Sequence, residues 1–423
     1  MWELFKPVLK NTQFWYLWLS QIFSQLTINI MNFLLLLRIY AITGSVIAAS
    51  LLWVSYALPA ILIGPLAAAS VDMVARRKML IVTNFLQSVA IFAYALVHTE
   101  KFFLLFGVAF IYSLLNQFYV PAEQASLPGV VPKENLPQAN SLFFLTQQGS
   151  LIVGFGIAGV LNKFLGFEFS LYLCSLFLLL AFVSVSFLPE LKTRQKLPTS
   201  LEQGVVKFFG RIGEGYNFIK GNPSILSPFL LLMAMQVASA VLVVNVPVLA
   251  LEIFKIGINS VGLAVVVPAG IGAIVGSLIV SKLLKSGWRK KRAIETFLFV
   301  IALALMLLVF VTPQLTNFPR IVFGALTVTV IGLAFVGVLI PSQTFLQEAT
   351  PGGMRGRVFG NYWFLVTLAT IFPVVFSATL TELFGVRLLL LTLAGLAIVA
   401  SFSSRKYGQK LIANGFAASE NAE

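Results

Sequence analysis

The sequence predicts an all-α integral membrane protein with twelve transmembrane helices in two parallel-related six-helix halves, and three observations support this. Of the 423 residues, 59% are hydrophobic and only 10% are charged, whereas soluble domains carry about 25% charged residues. The apolar residues form long continuous runs, and the second half of the chain repeats features of the first. A soluble chain of this composition would expose more apolar surface than soluble monomers tolerate, so the composition excludes a soluble globular protein.

Each apolar run is long enough to cross a bilayer as a helix, which takes roughly 20 residues. Continuous apolar character favours helices over the alternating pattern of a transmembrane β-barrel. Charged residues, proline and glycine separate the runs from one another. The expected spans are residues 14–37, 45–70, 79–97, 102–121, 138–161, 168–188, 224–250, 259–281, 293–312, 319–341, 358–381 and 386–403.

Positive charge is distributed unevenly between the loops. When both ends of the chain are placed on one side, most of the 29 lysine and arginine residues fall on that side. Such an excess marks the cytoplasmic side, so we expect a multi-pass protein of the cell (inner) membrane with both termini in the cytoplasm. The net charge of +14 then reflects orientation and contact with anionic membrane lipid, and it does not indicate nucleic-acid binding.

The chain has one cysteine, Cys174, and one histidine, His98. A single cysteine excludes an intramolecular disulfide, and no cluster of soft ligands indicates a metal site. No Ser-His-Asp set or glycine-rich phosphate loop indicates catalysis, since "GFGIAG" lies inside an expected span. We therefore expect no enzyme, no cofactor and no metal. The glycines expected to pack helices together are Gly154, Gly159, Gly272 and Gly276.

An internal repeat divides the chain. The segment "VPAEQASLPGVVPKENLPQAN" ends at Asn140, and "IPSQTFLQEATPGGMRGRVFGN" ends at Asn361, about half the chain later. Parallel halves around a central path are a transporter architecture. The expected parts are residues 1–188, the N-terminal six-helix half; 189–223, a cytoplasmic linker with an amphipathic helix; 224–404, the C-terminal six-helix half; and 405–423, a cytoplasmic tail.

The loop after the second expected span carries a familiar pattern. With twelve spans and a 6+6 repeat, Gly64, Asp72 and the Arg76-Arg77 pair in "GPLAAASVDMVARRKML" resemble the loop between spans 2 and 3 of the major facilitator superfamily. This resemblance covers the whole chain. The segment from Pro121 to Asn140 is similar to the macrolide-efflux and siderophore-exporter branch of that superfamily.

The resemblance implies a gate built on Asp72. In the superfamily this aspartate bridges to the other half, near the start of span 11, when the inner gate is shut; here that start is "MRGRVFGN". A helix N-terminus favours a carboxylate, and an arginine four residues on can hold it in place. An acid contributes little to the positive-inside rule, so orientation alone does not explain Asp72. The candidate gating residues are Gly64, Asp72, Arg76, Arg77, Arg355 and Arg357.

Four amides share one face of the first expected span, within about 80° at 100° per residue. Amides are costly towards lipid, so they should face protein or water; substrate contact and hydrogen bonding between helices are both open. Amides in spans 4, 5, 7 and 11 could join them. The candidate substrate-binding residues are Gln21, Gln25, Asn29, Asn32, Gln117, Gln148, Gln236 and Asn361.

Glu123, at the inner end of span 4, is the best candidate for a proton-coupling residue. The alternative is a salt bridge to Arg76 or Lys133. A path lined by amides, aromatic and aliphatic residues suits uncharged or amphipathic cargo, because a strongly charged ion would require a buried countercharge.

Together these features favour a monomeric secondary active transporter, a proton-driven exporter (an antiporter) that moves a small-molecule substrate by alternating access. The expected cargo is a small amphipathic drug, siderophore or metabolite. A metabolite importer or uniporter remains open, as does a non-transporting membrane protein such as a lipid scramblase.

Overall fold

The computed structural model describes residues 2–64, 66–67, 74–97, 102–190, 201–351 and 354–420, and these residues fold almost entirely as helices. The N-terminal helices are α1 (Trp2–Leu9), α2 (Thr12–Thr43), α3 (Val46–Leu62), α4 (Arg76–Val97), α5 (Phe103–Val130) and α6 (Leu136–Ser186). The remaining long helices are α7 (Leu201–Gly221), α8 (Pro223–Val244), α9 (Val267–Lys285), α10 (Lys290–Phe310), α11 (Asn317–Ala349), α12 (Arg355–Phe384) and α13 (Val386–Glu420). The chain is therefore all-helical where it is described.

Local chemistry sets the ends of α2. The Asn11 side-chain oxygen accepts the backbone N–H of Gln13 at 2.9 Å and that of Phe14 at 3.3 Å, which satisfies two donors that a helix start leaves open. Gly44 ends the helix in the left-handed region, at φ 66°. The Asn11 amide also donates to the Val130 carbonyl at 2.6 Å, so the start of α2 is tied to the end of α5.

Ten helices among the described residues are long and apolar enough to cross a membrane. One of them runs from Lys133 to Ser186, 54 residues, and it is interrupted at Gly166, whose φ of 81° and ψ of 169° are not helical. The helix Val46–Leu62 is apolar but shorter than the ten. The multi-pass helical architecture is thus present, and the expected first span, 14–37, lies inside the longer α2.

The chain divides into two compact units. The first comprises Met1–Gly44 and Leu51–Phe209, and the second comprises Ser45–Ser50 and Gly210–Glu423. In the first unit, α6 packs along α2 and α4, and α4 also packs along α5. In the second, α11 lies against α9 and α10, α13 packs on α10, and α8 packs on α12.

Glycine allows the closest helix contacts in each unit. A Cβ built on Gly154 of α6 would lie 2.6 Å from the Asn29 Cβ of α2, and one on Gly276 of α9 would lie 2.7 Å from the Leu333 carbonyl oxygen of α11. Gly272 meets the Thr329 backbone of α11 still more closely. Backbones that approach this closely leave no space for a side chain, which is the packing that small residues permit between membrane helices.

The linker helix expected within residues 189–223 is α7, Leu201–Gly221. Its Ile219 is buried in a cluster of the second unit that also contains Phe229, Val358 and Tyr362. Gly215, four residues earlier on the same face, is also buried, whereas Tyr216 is 49% exposed. This helix therefore packs on the second unit through one face.

Candidate functional site

A buried carboxyl group lies inside the first unit. Glu123 of α5 is 3% exposed, and its Oε1 accepts the Tyr119 hydroxyl at 2.7 Å. The two side chains meet because residues four apart share one helix face. Within the described part of the chain no lysine or arginine forms an ion pair with Glu123. Its charge is therefore met by a neutral hydroxyl group.

The hydrogen bonding continues from this pair into two other helices. The Tyr119 hydroxyl lies 3.1 Å from the Ser20 Oγ of α2, and the Asn84 Nδ2 of α4 donates to that same Oγ at 3.1 Å. Ser20, Asn84 and Tyr119 are each fully buried. One chain of side chains thus joins α2, α4 and α5 and ends on the Glu123 carboxylate.

Further polar groups line the same interior. The Gln87 amide donates to the Tyr112 carbonyl at 3.4 Å, and Ser88 and Ser175 hydroxyls lie 2.9 Å apart. Several buried oxygens have no protein hydrogen-bond partner, namely Gln21 Oε1, Asn84 Oδ1, Gln87 Oε1 and the Tyr112 hydroxyl. Leaving such an acceptor unpaired lowers the stability of the folded protein by about 1–3 kcal/mol. The first unit therefore keeps polar side chains in its interior although they reduce its stability.

Arg76, one of the two basic residues that the sequence offers as an ion partner for Glu123, has a different contact. Its Nη1 donates to the Ala125 carbonyl at 2.7 Å. Arg77 likewise donates to a backbone oxygen, that of Ser186, at 2.6 Å. Both guanidinium groups therefore bind backbone carbonyl groups, and that of Ser186 lies at the end of α6, where the partial charge of the helix is negative.

The amides of α2 fall into two environments. Gln21 is buried, and its Nε2 donates to the Phe143 carbonyl of α6 at 3.2 Å. Gln25, Asn29 and Asn32 are half-buried, and Asn29 donates to the Gln25 carbonyl of its own helix at 2.7 Å. Gln21 and Asn29 thus both contact α6, Asn29 through its Cβ beside Gly154, while Gln25 and Asn32 lie on a partly open face.

Two further amide candidates of the first unit lie elsewhere. Gln117 is half-buried and donates to the Ser113 carbonyl at 3.3 Å. A Cβ built on Gly64 would lie 3.7 Å from the Gln117 Oε1, so this glycine packs beside it in ordinary contact. Gln148 is exposed on α6.

The second unit holds the remaining candidate amides. Gln236 of α8 is half-buried, and the Tyr362 hydroxyl of α12 donates to the Leu232 carbonyl of α8 at 3.4 Å. Asn361 is 1% exposed; its Nδ2 donates to the Arg357 carbonyl at 2.9 Å, and its Oδ1 is unpaired. Gly215 of the linker helix packs directly against the Asn361 side chain. The structure therefore brings Asn361 under the linker helix.

Among the candidate gating residues, Arg357 has an acidic partner. Its Nη1 lies 2.8 Å from the Glu214 Oε2 of α7, and both side chains are largely exposed. Asp72 lies outside the described residues, as does the Arg355 side chain. The α7 helix thus supplies a carboxylate to the start of α12, the place where the family resemblance implies the carboxylate of Asp72.

Sequence reasoning identified Glu123 but missed its partners. Tyr119, Ser20 and Asn84 belong to the chain that holds the carboxylate. Only Tyr119 leaves a signal in the sequence, because it stands four residues before Glu123 on the same helix. In the described part of the chain no group of three or more histidine, cysteine, aspartate and glutamate residues could hold a metal ion.

A comparison with known protein families identifies the family of this chain. The family model of the Major Facilitator Superfamily matches residues 17–373. The chain belongs to the Major Facilitator Superfamily. This membership identifies it as a multi-pass membrane transporter with a small-molecule substrate, in a family whose members are generally not enzymes.

Similar proteins support this membership. The chain is 24% identical over 374 residues to the Bacillus subtilis "Uncharacterized MFS-type transporter YfiS", covering 86% of this chain and 85% of the relative. It is 30% identical over 164 residues to YjbB of the same organism, covering 38% of this chain and 40% of the relative.

Solved structures share the fold at low identity. A nucleoside transporter, NupG, superposes with a TM-score of 0.71 at 13% identity, over 93% of this chain and 98% of that one. An auto-inhibited POT family peptide transporter gives 0.70 at 11% identity, over 94% and 96% of the two chains. At these identities the likeness concerns the fold alone.

Proposed function

We propose that this superfamily member is a proton-driven secondary exporter of small amphipathic molecules, such as a drug, a siderophore or a metabolite. The observation that carries the proposal is the buried Glu123 carboxyl, which accepts a tyrosine hydroxyl and has no basic partner in the described part of the chain. An ionisable residue inside a membrane helix bundle is a functional site by default, and proton relays use such groups.

Proton coupling follows from the cost of burying charge. An ionised carboxylate away from water and cations is costly, while the protonated form is far cheaper to bury. A carrier that alternately opens to either side of the membrane can load a proton where water reaches the carboxyl and release it where the proton is scarce. Glu123 has the burial and the neutral partner that such a cycle requires.

The cargo follows from the groups on the open face of α2. Gln25 and Asn32 are half-buried amides, which donate and accept hydrogen bonds without a net charge. They suit an uncharged or amphipathic molecule. The nucleoside and peptide cargo of the structural neighbours belongs to those proteins, and low identity transfers none of it.

We further propose twelve spans in two six-helix halves, in the cell (inner) membrane with both termini cytoplasmic and the protein monomeric. The break at Gly166 would divide the longest helical stretch into two spans. The apolar helix Val46–Leu62, continued by the apolar residues after it, would supply another. Asp72 would then lie on the cytoplasmic side, where it closes the inner gate on the start of α12.

The proposal is tested in sealed proteoliposomes with an acidic interior and a panel of fluorescent amphipathic dyes. We expect accumulation of at least one dye that collapses when the pH gradient is removed, together with proton efflux. Glu123→Gln should abolish the gradient dependence and retain dye exchange without a gradient, whereas the exposed Glu134→Gln is the matched control. Transport of equal rate with and without the gradient would refute proton coupling and favour a uniporter. Two-way movement of labelled lipid with no dye transport would indicate a scramblase.

A further inference from the structure

The chain of hydrogen bonds that ends on Glu123 has a direction. The Tyr119 hydroxyl carries one proton and donates it to the Glu123 carboxylate at 2.7 Å. Because that proton is committed, the Ser20 hydroxyl must donate in the contact of 3.1 Å with Tyr119. The Asn84 amide in turn donates to Ser20. Every donor therefore points towards the carboxylate, which is the arrangement that an anion at the end favours.

A protonated carboxyl group has the opposite requirement. Glu123 with a proton becomes a donor, and its nearest acceptor in this arrangement is the Tyr119 oxygen. Tyr119 would then turn its own proton to Ser20, and Ser20 would need an acceptor beyond it. Asn84 Oδ1 is a buried acceptor with no partner, and it belongs to the same amide group that now donates to Ser20. Rotation of that amide by half a turn brings the oxygen to Ser20 with almost no change in shape, since the two ends of an amide are nearly equal in size.

We propose that Ser20, Asn84 and Tyr119 form one reversible relay with Glu123, in which proton uptake by the carboxylate reverses every hydrogen bond and rotates the Asn84 amide. One proton is added from water and the carboxylate loses its charge. Each hydroxyl proton stays on its own oxygen and only changes direction. The relay links α2, α4 and α5, so the protonation state of α5 is communicated to two other helices of the first unit.

The surroundings contain few other groups that titrate. On α5 itself Tyr112 interacts electrostatically with Glu123, and Tyr56 of α3 and Cys174 of α6 interact with Tyr112. From α4, Arg76 is bound to the Ala125 carbonyl, and α2 contributes the uncharged Ser20. Ser24 of α2 interacts with both the Tyr112 and the Tyr119 hydroxyls, so Tyr112 borders the chain, whereas the bond of Arg76 to the Ala125 carbonyl keeps its guanidinium group out of it.

The relay rests on the proposed proton binding by Glu123. Infrared difference spectroscopy can test proton binding and the relay separately. The purified full chain in lipid nanodiscs would be compared between acidic and alkaline buffer. The protonated carboxyl band is assigned by its loss in Glu123→Gln, and the amide band by its loss in Asn84→Leu. In the wild type both bands should respond to pH. In Glu123→Gln, a neutral donor at the same position, the amide band should stay at its acid position throughout.

The decisive variants interrupt the chain. In Tyr119→Phe and in Ser20→Ala the amide response should be lost while the carboxyl band still responds. The control is Ser126→Ala, whose hydroxyl donates to the Ala122 carbonyl of its own helix at 2.6 Å; this variant should retain the response.

Two results would overturn the relay. A carboxyl band that responds while the amide of the wild type does not, or an amide response that survives in Tyr119→Phe, would show that Asn84 does not follow Glu123; proton coupling would then stand without the relay. A carboxyl band absent at every pH would refute both proposals. Repeating the titration with sodium replaced by choline identifies the ion: a response that requires sodium would refute a proton relay.

Discussion

Replacing Gly154 by alanine should destabilise the first unit, and replacing Gly149 on the same helix should not. A Cβ at Gly154 would lie 2.6 Å from the Asn29 Cβ and 3.2 Å from the Ile30 backbone nitrogen, whereas nothing lies within 4 Å of a Cβ at Gly149. Because ordinary contact begins near 3.4 Å, α2 and α6 would have to separate by nearly 1 Å at this point, and a gap of about 0.5–1 Å forfeits a quarter to a half of each dispersion contact.

The magnitude follows from two opposing terms. Alanine in place of glycine favours a helix by about 0.8–1 kcal/mol, and this gain applies at both positions. Overpacking costs about 1–3 kcal/mol, and it applies at Gly154 alone. The two variants should therefore differ in stability by about 1–3 kcal/mol. At about 2–4 °C per kcal/mol for a unit of this size, their unfolding midpoints should differ by roughly 2–12 °C.

The chain supplies its own reporter for this measurement. Cys174 is the only cysteine and is fully buried on α6, so a thiol-reactive dye becomes fluorescent only as the unit opens. Melting curves of wild type, Gly154→Ala and Gly149→Ala in the same detergent give the comparison directly. If Gly154→Ala melts at or above the Gly149→Ala midpoint, the close approach of α2 and α6 does not limit stability and the reasoning is refuted.

Three other predictions concern transport. Glu123→Gln should insert normally and lose the pH dependence of transport, because it retains the shape and removes the charge; an unchanged pH profile would make Glu123 a structural residue. Asp72→Asn should insert normally, lose most transport and favour the inward-open state. A carboxylate at a helix N-terminus with an arginine partner stabilises the closed inner gate by about 2 kcal/mol, or about thirtyfold in population. Cysteine cross-linking across the inner gate equal to that of the wild type, together with equal transport, would contradict this prediction. Cysteine in place of Gln25 or Asn32, in a Cys174→Ser background, should react with small polar thiol reagents, since both positions are half-buried; protection of both, with normal labelling of loop controls, would assign them to packing.

Long apolar runs made the helices predictable, because the cost of unpaired backbone groups in lipid leaves the helix as the one structure available to such a run. Helix ends were less predictable. The expected span 14–37 lies inside Thr12–Thr43, because the caps at Asn11 and Gly44, rather than the limits of the apolar run, set where the backbone bonds stop. Hydropathy indicates how long the apolar part of a helix is, but it does not indicate how many helical turns continue beyond that part.

The candidate site was predictable only in part, because its contacts join distant residues. Glu123 is conspicuous as an acid at the end of an apolar run. Ser20 and Asn84 become its partners only when α2, α4 and α5 pack together, and nothing in their local sequence distinguishes them from other small polar residues in helices. Arg357 illustrates the same limit: its position at the start of α12 was predictable, but the Glu214 carboxylate beside it depends on how the linker helix packs.

The contact between α9 and α11 bears on how the sequence can change over evolutionary time. Gly272 and Gly276 meet the backbone of α11, and Gly332 of α11 meets the Ala269 backbone of α9 in return. At these three positions even the smallest side chain collides with main-chain atoms, which cannot rotate away as a side chain can. No other amino acid is tolerated there unless both helices shift together. Exposed apolar positions beside them, such as Leu278 at 69% exposed, can exchange with other apolar residues. A saturation library of α9 and α11 should therefore show low tolerance at Gly272, Gly276 and Gly332, and diverged copies of this chain should keep these three glycines even where overall identity is low.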